Sequence, residues 1–207
     1  MNQPKDHLDT LHEIRDLMEK SSRFISLSGL SGVSAGIFAL FGAAAAFVIL
    51  QSDSFFYTDY RAALDHTQVL WLLVLDAVIT LFLSFVVAMI FTVRQARKKG
   101  QAIWSKTAQR LTINMMIPLV TGGVFCLAFL YQGYIGIIAP SMLVFYGLAL
   151  INGSKYTLHD IRYLGICEII LGLIATFFIG YGLLFWAIGF GILHIIYGIV
   201  MYRKYEK

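Results

Sequence analysis

Six stretches of the sequence, about Ile25 to Leu50, Gln68 to Val93, Leu111 to Leu130, Ile135 to Ile151, Tyr163 to Ile179 and Leu183 to Tyr202, are apolar almost throughout. They show neither the alternation of a half-buried strand nor the one-sided stripe of a surface helix. Each approaches the ~20 residues that a helix needs to cross hydrocarbon. The pattern predicts an all-α polytopic membrane protein whose residues 25–202 form six transmembrane helices in three antiparallel hairpins. A different pattern precedes them. Leu8, Leu11, Ile14, Leu17 and Met18 recur every three or four positions, with Asp9, Glu13, Asp16 and Glu19 on other faces. Residues 1–24 therefore read as a cytoplasmic segment built on an amphipathic helix, and residues 203–207 as a basic cytoplasmic tail.

Composition sharpens this. Of 207 residues 58% are hydrophobic and 14% charged, where soluble domains carry about 25% charged residues. Once six spans are subtracted, no stretch reaches the roughly 50 residues of a separate soluble domain. The net charge of +4 follows topology: of 16 Lys and Arg, only Arg61 falls in the loops that alternate with the N-terminus, the second-to-third loop, the fourth-to-fifth loop and the tail. Positive charge inside places both termini in the cytoplasm. Trp71, Tyr131, Tyr134, Tyr181 and Trp186 then fall at the outer interface, and Tyr163, Tyr202 and Tyr205 at the inner one. The expected partners are membrane lipids and a cytoplasmic protein, not nucleic acid. Cys126 and Cys167 lie inside apolar blocks without metal-ligand spacing and imply no disulfide framework.

Polar side chains within spans are costly and point to sites. Asp76, Asn114, Glu168 and His194 are such residues. If the last hairpin turns tightly at Gly180, Tyr181 and Gly182, residues at equal depth follow from a common rise of ~1.5 Å per residue, and Glu168 falls level with His194. Gly165, Glu168, Gly172 and Ala175 share one helix face, and Ala187, Gly191, His194 and Gly198 share another. The expectation is two small-residue seams in direct contact, Gly165 opposite Gly198 and Gly172 opposite Gly191, with Glu168 and His194 hydrogen-bonded between them. Such a pair can staple two helices, couple to a proton or bind a polar headgroup. Metal is disfavoured, because two ligands fall short of the three or four that zinc takes.

Asp76, Thr80 and Ser84 step along one face of the second span, an arrangement that could line a polar cavity or leave the hydroxyls bonded to their own helix. Pro118 removes the donor to the Asn114 carbonyl, so the third span should bend there. Asn114 then either repairs the defect or borders a cytoplasmic-facing cavity. No Walker loop, dinucleotide fingerprint, HExxH, paired CxxC or GxSxG elbow is present. No cofactor and no catalytic residue are assigned.

The stretches FISLSGLSGVSAGI, ARKKGQAIWSKTAQRL and GLLFWAIGFGILHIIYGIVMY resemble those of small uncharacterised six-span bacterial inner-membrane proteins. The resemblance implies that fold and membrane, and brings no activity. The leading expectation is a protein that binds a lipid or small polar ligand, as a proton-coupled transporter would, at a site of Glu168, His194, Asp76 and Asn114. The alternative is an accessory subunit whose N-terminus and Trp104 loop dock a cytoplasmic partner. Third comes an intramembrane enzyme with Glu168 and His194 as acid and base. The small-residue faces can also serve contacts between subunits.

Overall fold

The computed structural model describes residues 28–50, 67–100 and 102–207. The amphipathic segment expected over residues 1–24 lies outside the described residues, as does Arg61. Six helices follow one another: α1 (Gly29–Leu50), α2 (Thr67–Lys98), α3 (Lys106–Tyr131), α4 (Ile138–Gly153), α5 (Ile161–Phe177) and α6 (Ile179–Tyr205). Among the described residues there is no strand. Five of these helices are long and apolar enough to cross a membrane, α4 together with the 3₁₀ turn Ile135–Ile137 ahead of it; α5, with 17 residues, is the shortest of the six apart from α4 taken alone. Their outer surfaces carry large apolar side chains such as Leu81, Phe82, Phe85, Leu127 and Phe177. A soluble protein does not expose that much contiguous apolar surface; this is an all-helical membrane protein.

Local sequence explains where the helices stop. Ser105 opens α3 by accepting the Ala108 N–H at 3.1 Å. At the other end Gly133 adopts φ 80°, a conformation cheap only for glycine. The Tyr134 N–H reaches back to the Phe129 carbonyl and the Gly133 N–H to Leu130, the Schellman arrangement that closes orphan carbonyls. Its customary apolar contact is the edge-on packing of Tyr134 against Phe129 at 6.3 Å. Arg97 and Lys98 in the last turn of α2 complement the negative end of the helix dipole.

The packing order departs from the sequence expectation. The closest partner of α5 is α4, not α6, and α6 lies chiefly along α1; α2 packs on α1 and α3 on α4. Glycines set these pairings by letting backbones touch. A Cβ at Gly147 of α4 would come 2.6 Å from the Gly165 carbonyl oxygen of α5, and a Cβ at Gly36 of α1 would come 2.6 Å from the Gly191 carbonyl oxygen of α6. Gly172 likewise faces Pro140, Leu143 and Val144 of α4, and Gly198 faces Gly29 and Val33 of α1. The expected seam of Gly165 on Gly198 and Gly172 on Gly191 is therefore wrong. Each glycine face does bring helices together, but on a different neighbour, because equal-depth arithmetic fixes height and leaves the rotation of each helix about its axis undetermined.

The result is two helix groups, α3–α4–α5 and α2–α1–α6, meeting where α6 faces α4 and α5. On the basic side of that junction Leu150, Leu158, Ile161, Leu164 and Met201 form a buried cluster.

Candidate functional site

Glu168 sits seven residues into α5, ~10 Å along the helix, and is fully buried. His194, 6% exposed, follows a π-helical stretch of α6 at Ala187–Leu193. π segments interrupt an α-helix at a cost and concentrate at functional sites. The wider turn brings the His194 ring back over its own helix, so that Nδ1 lies 3.0 Å from the Gly189 carbonyl oxygen. Since a carbonyl can only accept, Nδ1 carries a hydrogen. His194 Nε2 is 2.8 Å from the Tyr146 hydroxyl of α4. Glu168 Oε1 stands 3.4 Å from Nδ1, yet neither carboxyl oxygen has a hydrogen-bond partner among the described residues.

The structure thus brings Glu168 and His194 together without the direct hydrogen bond expected between them, because Gly189 takes the Nδ1 hydrogen. Rings hold the imidazole in place: Phe190 stacks on it at 5.9 Å and 20°, and Tyr146 lies at 5.3 Å. Gly189 is required on a second count, since a Cβ there would run into Leu143 Cδ2 of α4 and meet Glu168 Oε2 at 2.6 Å. The array of Tyr146, His194 and Glu168 spans α4, α6 and α5 at the junction of the two groups. With one proton shared between them, Glu168 and His194 are neutral overall, as acid and imidazole or as carboxylate and imidazolium. In the second arrangement Nε2–H donates to the Tyr146 oxygen; in the first the Tyr146 hydroxyl donates to Nε2.

The other expected site residues stand apart. Asn114 Nδ2 donates to the Arg110 carbonyl of its own helix at 2.8 Å. The carbonyl that Pro118 deprives of its donor is that of Asn114 itself, and Asn152 of α4 supplies the replacement, Nδ2 to O at 2.8 Å. The repair comes from the neighbouring helix and not from Asn114. Asp76, half-buried on α2, has no hydrogen bond or ion pair with another described residue. Thr80, one turn on, packs against Gly42 of α1. Among the described residues no three His, Cys, Asp or Glu side chains cluster as metal ligands would.

Tyr146, Gly189 and Asn152 escaped the sequence reading of the site. Tyr146 could be placed only from the structure, where its neighbour Gly147 crosses Gly165, one turn before Glu168. A second polar cluster, at the basic end, was also missed. Asp160, between α4 and α5, accepts from Lys204 Nζ at 2.8 Å and from the Tyr205 hydroxyl at 2.7 Å. Glu206 accepts from Ser28 Oγ at 3.1 Å and from the Gly29 N–H at the start of α1. Partial burial raises the Asp160 carboxyl pKa, but the hydrogen bonds from Lys204 and Tyr205, with the Lys204 charge, outweigh it and hold the group below its ordinary value.

No family model matches the chain, and no curated protein and no solved structure matches it.

Proposed function

We propose that the protein is a six-span protein of a bacterial inner membrane, both termini cytoplasmic, that binds a lipid or small polar ligand and couples that binding to a proton held by Glu168 and His194. The six-span reading is supported by α5, whose 17 residues fall at the short end of the ~17–25 that cross hydrocarbon, and by the one-sided distribution of Lys and Arg. The bacterial inner membrane rests on the resemblance of the quoted stretches. The observation that carries the function is the Tyr146–His194–Glu168 array, buried where two helix groups meet, with the Glu168 oxygens unpartnered among the described residues. A mere staple would satisfy the carboxyl; hydrogen bonds between membrane helices average only about 0.6 kcal/mol, a weak return for burying an unbonded carboxyl. A ligand or a movement of one group against the other supplies the missing donor.

The test is a native mass spectrum of protein extracted gently from its own membrane, recorded across pH. A small-molecule or lipid adduct should be retained by the wild type in a pH-dependent way and lost in Glu168→Gln. No adduct in either protein, or a set of adducts none of which responds to pH and to the substitution, overturns the reading.

A second reading is an accessory subunit. Trp104, 68% exposed, and Ile103 stand out from the basic loop between α2 and α3, as a docking anchor for a cytoplasmic protein does. Under it, Trp104→Ala loses a stoichiometric partner that the wild type carries through purification.

A further inference from the structure

A cleft of about 350 Å³ runs between α3 and α4, open on its outer side and lined by Pro118, Thr121, Phe145, Leu148, Ile151, Asn152 and Lys155. Two features of this chain border it. Pro118 lies in its wall and leaves the Asn114 carbonyl without its helical donor, and Asn152 reaches across to that carbonyl and ties the two helices together beside the cleft. Thr121 bonds its hydroxyl to the Ile117 carbonyl at 2.8 Å and so leaves its methyl to the wall. From Phe145 to Lys155 the cleft follows ten residues of chain, ~15 Å at helical rise. Its upper part is apolar and its lower end is not. There Lys155 Nζ stands 3.4 Å from Asn152 Oδ1, leaving ammonium hydrogens for another acceptor, and Arg110 lies one turn below Asn114 on the facing helix, exposed.

We infer that this cleft holds one anionic phospholipid of the basic-side leaflet, an acyl chain along Phe145, Leu148 and Ile151 and the phosphate on Lys155. Hydrocarbon alone fills any lipid-facing groove. The charge at one end selects the headgroup: both kinds of phospholipid bring a phosphodiester to Lys155, but a zwitterionic one brings its own cation with it and an anionic one does not. The placement is independent of the Glu168 array and separate from it.

Protein purified in mild detergent is titrated with phosphatidylglycerol and phosphatidylcholine of identical chains and read by native mass spectrometry. The wild type should retain phosphatidylglycerol about fivefold better, the factor that one basic residue near a membrane surface supplies. Lys155→Gln, at an exposed position, should bring the two lipids level. Leu148→Trp, which fills the cleft from its lipid-facing side, should reduce retention of both. Equal retention of the two lipids by the wild type, a preference that survives Lys155→Gln, or indifference to Leu148→Trp overturns the assignment.

Discussion

At the scale of the residue, Gly189 is the position on which the buried array turns. Its carbonyl fixes the tautomer of His194 and its missing side chain makes room for Leu143 Cδ2 and Glu168 Oε2. Gly189→Ala should cost about 1–3 kcal/mol, as overpacking does, and lower the melting temperature in detergent. Gly123 is the control. A Cβ there meets nothing within 4 Å, so Gly123→Ala should be neutral or stabilise by up to ~1 kcal/mol through helix propensity; a comparable loss at both glycines would show that crowding by Leu143 and Glu168 at Gly189 is not the cause. Tyr146→Phe removes a single hydrogen bond of 2.8 Å and should cost only about 0.6 kcal/mol, while moving the nitrogen resonances of His194 in an NMR spectrum. Burial and polarity made Glu168 and His194 legible in the sequence. Tyr146 was not, since a tyrosine in a span reads equally as packing.

At the scale of the element, helix positions were legible and helix partners were not. The apolar blocks placed α1 to α6 to within a few residues because hydrophobic length is written in the chain itself. Which face of α5 meets which neighbour depends on Gly147 and Gly36 in other helices, so no reading of α5 and α6 alone could have set it. Cysteines test the difference in a background with Cys126 and Cys167 replaced by Ser. Val144→Cys with Gly172→Cys should cross-link readily, since a Cβ at Gly172 lies 2.8 Å from Val144 Cγ2. Gly172→Cys with Gly191→Cys should not, because the two face different helices. Efficient linkage of that second pair would restore the original seam. The π stretch at Ala187–Leu193 was also unreadable, since the residues its glycines pack against, Leu40 of α1 and Glu168 of α5 among them, lie on other helices.

At the scale of the whole molecule, composition alone excluded a soluble fold, while the basic-end cluster that ties distant segments together left no trace in composition. Asp160 joins the α4–α5 connection to the end of α6. Its carboxyl is held below its ordinary value in the folded state, so the folded state binds its proton less readily than the unfolded one. The contribution to stability is therefore present above the ordinary carboxyl pKa and disappears as pH falls through the lowered folded value. Thermal melts from neutral into acid pH should show this loss in the wild type and a flatter profile in Asp160→Asn; parallel profiles would sink the assignment. The Glu206 contacts carry a different consequence, one of biosynthesis. The carboxylate that closes the amino end of α1 lies 177 residues further along the chain. While the ribosome is still making α2 to α5, the Gly29 amide has not yet met that carboxylate. The amino end of α1 is thus completed only after α2 to α5 have been made, and a nascent chain stalled before α6 would lack that carboxylate.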